Sequence, residues 1–444
     1  MNSTIKKNDE YVVDIIDYGT DGEGIAKING YTLFVNGALK GEKCKIHVTK
    51  VLTSYAYAKI VEIVEKSKHR LEPDCDTYKR CGGCSLRHID YKETLKITKE
   101  KVQNLVNKML KSRVEVNETI GMDLPYYYRN KTIYPIDGRK KIGFYSNRSH
   151  DIIPINECKI QTKLSQKIAR YIVENYKGTI YNEETREGVL RNIMIREAFS
   201  SKEAMVVLVQ TDSKVYIDVE KIVSKFNQIK TIVINVNKKD TNVVLSNTNV
   251  IVYGDGFITD KLGDYYFKIS PNSFYQINPI QTERIYNYAI EKACLNKNDI
   301  LCDLYCGIGT IGIFASKYVK KVYGIEIVPQ AIKNAKENAK ENDIMNIEFM
   351  EGDVELAFDK LLKNNVKPNV VIVDPPRKGL DKKTILNLCD LNLERLIYIS
   401  CNPATLVRDL SELEKYYDIK TIQPFDNFCY TSHVECCSVL SLRD

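Results

Sequence analysis

No apolar run in this 444-residue chain approaches the roughly 20 residues that span a bilayer. The polar opening Met1-Asn2-Ser3-Thr4-Ile5-Lys6-Lys7 also lacks the hydrophobic segment of a secretory signal. Both absences argue against a membrane-spanning or secreted protein, and the cytoplasm is the expected location. Internal repeats and low-complexity segments are missing as well, so neither a solenoid nor a long disordered tail accounts for the length. Without a secretory signal, the 13 cysteines do not read as a disulfide framework. Cys44, Cys294, Cys302, Cys389, Cys429, Cys436 and Cys437 lack the spacing of metal ligands and are expected to be buried thiols. What remains is ordinary for a globular enzyme: 43% hydrophobic and 28% charged residues, in a length that suits two or three domains.

The net charge of +7 is unevenly spread. Residues 1–64 carry eight Lys/Arg and eight Asp/Glu, residues 65–170 carry 23 against 13, and residues 171–444 carry 34 against 37. The basic surplus is confined to a stretch that also holds a cysteine cluster and the run Tyr126-Tyr127-Tyr128-Arg129-Asn130-Lys131. Cations mixed with aromatics fit a polyanion surface. Nucleic-acid contact is expected there, with Arg129, Lys131, Arg139, Lys140 and Lys141 gripping phosphates.

The pattern divides the chain in three. Residues 3–62 read as five short strands, Tyr11–Ile16, Gly24–Ile28, Tyr31–Val35, Cys44–Val51 and Ala56–Val64, with Asn29-Gly30 as a hairpin turn. This suits a small closed barrel of the OB type. Residues 63–260 form an α+β region: the cysteine cluster over 63–90, a helix over Tyr91–Lys111 that packs on the next domain, and mixed strands and helices. Residues 261–444 alternate. Helices over Glu283–Leu295, Ile311–Lys317, Gln330–Asn342, Lys383–Leu391 and Thr405–Lys415 are interleaved with strands Ile300–Leu304, Lys321–Ile325, Ile347–Met350, Asn369–Val373 and Leu396–Ser400. That rhythm predicts a doubly wound, Rossmann-like α/β sheet. Two last strands, Lys420–Phe425 and Glu435–Leu442, have no helix between them and close the sheet as an antiparallel hairpin.

Asp303-Leu304-Tyr305-Cys306-Gly307-Ile308-Gly309-Thr310 leads a strand through a glycine loop into a helix, where the backbone can approach a ligand without a Cβ clash. The loop lacks the full G-x-G-x-x-G spacing, but Glu326, 19 residues past Gly307 at the end of the next strand, can accept both ribose hydroxyls. A nucleoside cofactor without a required pyrophosphate fits this pair. The fourth strand runs into Asp374-Pro375-Pro376-Arg377-Lys378-Gly379. Methyltransferases acting on exocyclic amino groups follow a similar Asp-Pro-Pro with an aromatic residue, and Arg377 argues against an amino target.

Attention moves to Cys401 in Ser400-Cys401-Asn402-Pro403. Ligands of open α/β sheets bind at the carboxyl ends of the strands, which is where this thiol is delivered. A thiolate that adds to carbon 6 of uracil turns carbon 5 into an enolate carbon able to take a methyl group. A base must then remove the carbon-5 proton so that the thiol can leave. Glu435, in His433-Val434-Glu435, is the candidate base, with Asp426 and His433 as rivals.

The barrel, through Asp21-Gly22-Glu23-Gly24-Ile25-Ala26 and Val35-Asn36-Gly37-Ala38-Leu39-Lys40-Gly41-Glu42, resembles a TRAM domain, an RNA-binding barrel. The alternating region resembles the class I methyltransferase fold that uses S-adenosylmethionine (SAM). Asp374-Pro375-Pro376-Arg377-Lys378-Gly379-Leu380, Ser400-Cys401-Asn402-Pro403-Ala404-Thr405-Leu406 and His433-Val434-Glu435, in this order, resemble the RNA uracil-C5 methyltransferase family over nearly the whole chain. The resemblance implies Cys401 as nucleophile and Glu435 as proton acceptor. It also implies SAM contacts from Gln276, Tyr305, Glu326 and Asp374, with Asp353 a further candidate for the adenine. Gln276 lies in Ser270-Pro271-Asn272-Ser273-Phe274-Tyr275-Gln276-Ile277-Asn278-Pro279, which is similar to the family's segment ahead of the first Rossmann helix.

Cys75, Cys81 and Cys84 form C-x5-C-x2-C, and Cys158 lies far downstream. Four thiolates can hold zinc or a [4Fe–4S] cluster, and spacing alone does not choose. Resemblance to the family's iron–sulfur members implies a structural [4Fe–4S] cluster near the RNA surface. The implied substrate is a uridine of 23S ribosomal RNA, with transfer RNA as the alternative. A radical-SAM methylase and a non-catalytic RNA-binding protein are more distant readings. The target base must be unpaired or extruded to reach Cys401. Phe274 is then either an aromatic face that holds it or ordinary core.

Overall fold

A computed structural model describes residues 5–147, 149–241 and 243–443. Residues 3, 4 and 444, the outer limits of the expected first and last domains, lie outside the described residues.

In the first region the period-two pattern puts Leu33, Val35, Ala56 and Ala58 inside, all buried. Strands Glu10–Asp14, Lys43–Val51, Tyr55–Glu65, Tyr31–Asn36, Gly24–Ile28 and Asp17–Tyr18 hydrogen-bond in that spatial order. The expected first strand, Tyr11–Ile16, ends early at Asp14, and the two-residue strand Asp17–Tyr18 follows it. Ile15 N donates to Glu42 O and Ile16 N to Ile25 O, each at 2.8 Å. The bend between Asp14 and Asp17 therefore ties both edges together and closes the barrel.

A five-stranded sheet follows, in the order Asn249–Tyr253, Ile229–Val236, Ala204–Gln210, Leu190–Glu197 and Lys131–Pro135. Helix Lys163–Glu174 lays Ile168, Ile172 and Val173 on the sheet residues Ile193, Ile195 and Val206. The hairpin Ile258–Leu262/Tyr265–Ile269 joins the core of the catalytic region instead. The boundary expected at 260/261 falls inside its first strand. Helix Tyr91–Met109 starts on an Asp90 cap and buries Val102 and Val106 among Leu406, Leu410 and Leu413 of the catalytic region.

The catalytic sheet has seven strands, in the order Ile347–Glu351, Lys321–Glu326, Ile300–Leu304, Val370–Val373, Arg395–Ser400, Glu435–Leu442 and Tyr417–Phe425. Neighbours pair in parallel as far as Arg395–Ser400, and Glu435–Leu442 runs antiparallel to both strands beside it. A helix absent from the sequence expectation covers Val354–Lys363. Its signal is present: Asp353 caps it, and Val354, Ala357, Phe358 and Leu361 form a buried face at helical spacing. The crossover from the edge strand at Ile347 to the central strand at Val370 requires such an element.

Candidate active site

Two loops meet over the carboxyl end of the catalytic sheet. Asn402 opens helix Pro403–Leu413, its Oδ1 accepting from Ala404 N at 3.2 Å. Its Nδ2 donates to Arg377 O at 2.9 Å, and Thr405 Oγ1 donates to the same carbonyl at 3.3 Å. These bonds fix the Asp374–Gly379 loop beside Cys401, and the Arg377 charge favours the ionised form of the thiol.

The antiparallel strand brings in the carboxylate. Its register pairs Ser400 with Cys436 and Phe425 with Glu435, so the first residue of that strand lies beside the residue after Ser400. Glu435 is 2% exposed, and Asn427 Nδ2 donates to its Oε2 at 3.4 Å. Burial first, and then neighbouring Asp374, push the Glu435 carboxyl well above the usual carboxylate range. Burial raises Asp374 as well. The Cys401 thiol is pushed up to about 11 by burial and then by Glu435 and Asp374, while Arg377 pulls it back. The surroundings thus hold the proton on the thiol and favour the neutral form of the carboxyl beside it.

The rival bases sit differently. Asp426 accepts from Tyr91 Oη at 2.7 Å and is buried, which raises it to about 6. His433 is exposed and packs edge-on against Phe428, with ring centroids 5.9 Å apart. Asn427, which holds Glu435, was not anticipated; a lone Asn between two strands carries no local signal.

On the cofactor side, the glycine loop is tied down from beneath. Gly307 N donates to Glu326 Oε2 at 3.2 Å and Gly312 N to Asp303 Oδ2 at 2.9 Å. Burial raises Asp303 to about 8, with Asp374 and Glu326 adding to the shift. Gly307 has φ +55°, and a Cβ there would meet nothing within 4 Å, leaving open space above the loop. Tyr305 also has positive φ, 65°, and its hydroxyl lies near Asp381 and Thr384. The Gln276 carbonyl accepts from Asn130 Nδ2 at 2.9 Å, and two residues on, Asn278 Nδ2 donates to Asn427 O at 3.2 Å. Asp353 spends one oxygen capping its helix at Glu355 N. Phe274 is 66% exposed and is not core.

Cys75, Cys81, Cys84 and Cys158 line one cavity of about 320 Å³. Among the described residues no three His, Cys, Asp or Glu side chains converge closely enough to hold a single ion. The thiols surround a space instead. Burial pushes Cys84 up to about 12, against the pull of Arg87. Arg87 and Arg129 also line the cavity, and Arg87 Nη2 and Arg129 Nε are buried without a hydrogen-bond partner. Lys131 lines it too and is lowered to about 7, by burial and then by Arg196 and Arg129. Two of the five cations expected to grip phosphates, Arg129 and Lys131, therefore line this cavity. Arg139, Lys140 and Lys141 are exposed.

A family model described as tRNA (uracil-5-)-methyltransferase matches residues 221–443, and a TRAM domain model matches 6–61. The chain is 44% identical to an uncharacterized RNA methyltransferase of Clostridium acetobutylicum, over 97% of this chain and 96% of the relative. An uncharacterized RNA methyltransferase of Caldanaerobacter subterraneus is 41% identical, over 97% and 98%. Among solved structures, the Pyrococcus abyssi tRNA (uracil-54, C5)-methyltransferase in complex with S-adenosyl-L-homocysteine superposes with a TM-score of 0.78. Its identity is 25%, over 97% of this chain and 100% of that one.

Proposed function

The chain belongs to the tRNA (uracil-5-)-methyltransferase family, and from that premise we propose that it methylates carbon 5 of an RNA uridine through a covalent bond from Cys401 to carbon 6. The observation that carries the proposal is the antiparallel register that sets Glu435 beside Cys401. SAM supplies an electrophilic methyl group on a sulfonium cation. Glu326 is the proposed partner of its ribose hydroxyls, with Gln276, Tyr305 and Asp374 as the other proposed contacts. Fit to a cation is supported by the raised carboxyls of Asp303, Asp374 and Glu435, which a positive charge would relieve.

Arg377 lowers the cost of losing the Cys401 proton to water, and the thiolate adds to carbon 6 and makes carbon 5 nucleophilic. Once carbon 5 carries the methyl group, Glu435 takes the proton from that carbon, and the electrons left behind expel the thiolate. Asn427 keeps the carboxylate in place for this second step.

The four thiols are the proposed ligands of a [4Fe–4S] cluster. Its support is the single cavity they share and the unpartnered guanidinium nitrogens lining it, which suit an anionic occupant. Such a cluster would supply a rigid node between the RNA-facing region and the catalytic loops.

The proposed substrate is 23S ribosomal RNA. The full-length likeness to the P. abyssi enzyme favours transfer RNA as the second reading. Mapping 5-methyluridine in both RNAs of a deletion strain separates them. Loss confined to ribosomal RNA is the expected result, loss confined to transfer RNA selects the second reading, and no loss in either rejects the function.

A further inference from the structure

The outer face of the barrel carries three aromatic rings packed on one another. Phe34 lies opposite Tyr57 where strands Tyr31–Asn36 and Tyr55–Glu65 pair in parallel, and Tyr55 is on the same face two residues away. Ring centroids are 5.4 Å apart for Phe34–Tyr55, 5.8 Å for Phe34–Tyr57 and 5.6 Å for Tyr55–Tyr57. None belongs to the barrel core, which alternate residues of the same strands fill, and all three are half-buried. A strand with one buried face ordinarily carries polar residues on the other, so clustered outward aromatics point to a ligand.

This patch adjoins, through one turn of the barrel, the segment that leads into Glu435. The Phe34 ring packs against Gly19, and Gly22 of the same turn lies against Leu86 and Ser432. Lys101 Nζ donates to both Thr20 O and Ser432 O at 2.7 Å. Ser432 is three residues ahead of Glu435. The first 64 residues carry equal numbers of acidic and basic side chains, so the barrel has no net charge with which to attract a polyanion.

We propose that Phe34, Tyr55 and Tyr57 form a stacking platform for unpaired bases of the RNA strand flanking the target uridine. The proposal rests on the RNA-uridine reading above. Extruding a base leaves its neighbours unstacked, and aromatic rings replace that stacking without regard to sequence.

The test uses the full chain and a target-site RNA. Phe34→Leu/Tyr55→Leu keeps apolar bulk but removes the π faces, and Phe34→Tyr/Tyr55→Phe keeps them. Affinity should fall about tenfold or more in the Leu variant and stay near wild type in the aromatic swap. KM should rise with kcat unchanged. The slope of log affinity against log salt should not change, because no phosphate contact is lost. Wild-type affinity and KM in the Leu variant would overturn the platform, as would an affinity loss that comes with a flatter salt slope. Methylation by the wild type reports the underlying reading separately. No methyluridine from the wild type rejects that reading, whereas product with an unaffected Leu variant rejects only the platform.

Discussion

Cys401, the proposed nucleophile, must lose its proton before it can attack, and its surroundings hold that proton on. Cys401→Ala should abolish methylation and covalent capture of 5-fluorouridine RNA while SAM still binds; equal adduct in wild type and variant would reject the assignment. Glu435→Gln should add and methylate but stall before elimination, so a methylated covalent RNA adduct should accumulate on a denaturing gel. Unchanged turnover would move the base elsewhere. Arg377 sets the pH response. With the thiol near 11, its reactive thiolate is scarce at neutral pH and grows as pH rises. Arg377→Gln removes the group that pulls the thiol down. Its adduct formation should be slower than wild type by a constant factor around neutral pH, and the deficit should shrink only as pH approaches about 11; a deficit that persists there would assign Arg377 to substrate binding alone.

The glycine loop and the strand beneath it form an element whose stability depends on pH. Asp303 is near 8 in the folded chain against an ordinary 3.8, so between these values the folded state binds the extra proton. Stability therefore falls as pH rises from about 4 to about 8. Asp303→Asn should flatten that loss, and SAM, bringing a cation to the neighbouring carboxyls, should flatten it in the wild type. Melting temperature against pH, with and without SAM, reads both; parallel wild-type and variant curves would show that Asp303 is not responsible. The last strand matters at the same scale. Its antiparallel course is what returns a residue near the end of the chain to the reacting edge.

Across the molecule, the cysteine loop fastens the segment that leads into Glu435. Ser85 N and Leu86 N both donate to Tyr430 O at 3.0 Å, Tyr128 Oη donates to Cys429 O at 3.1 Å, and the Arg87 guanidinium lies 4.2 Å from the Tyr430 ring centroid. An intact thiol site thus bears on the geometry of Glu435, the proposed base. Protein purified without oxygen should be brown and hold about four irons per chain, as four thiolates around one [4Fe–4S] centre require. A colourless protein with one zinc would reject the cluster and leave methyl transfer standing.

The sequence by itself determined what depends on neighbours in the chain: the barrel's alternating strands, the strand–helix rhythm, the glycine loop with Glu326 one strand on, Cys401 at a strand end, and the spacing of Cys75, Cys81 and Cys84. Each is a local pattern of period, turn residue or ligand interval. Tertiary structure decided what depends on register and burial. Glu435, Asp426 and His433 lie within ten residues and were rivals on sequence; one register sets Glu435 beside the thiol, and Tyr91, 335 residues away, occupies Asp426. Arg129 and Lys131 sit in a basic stretch yet face a cavity, and Phe274, open on sequence between a base-holding face and core, is exposed. A one-residue slip in a strand reverses every side chain, and packing from distant elements sets that slip. For that reason, which groups could react was legible in the chain, and which of them meet was not.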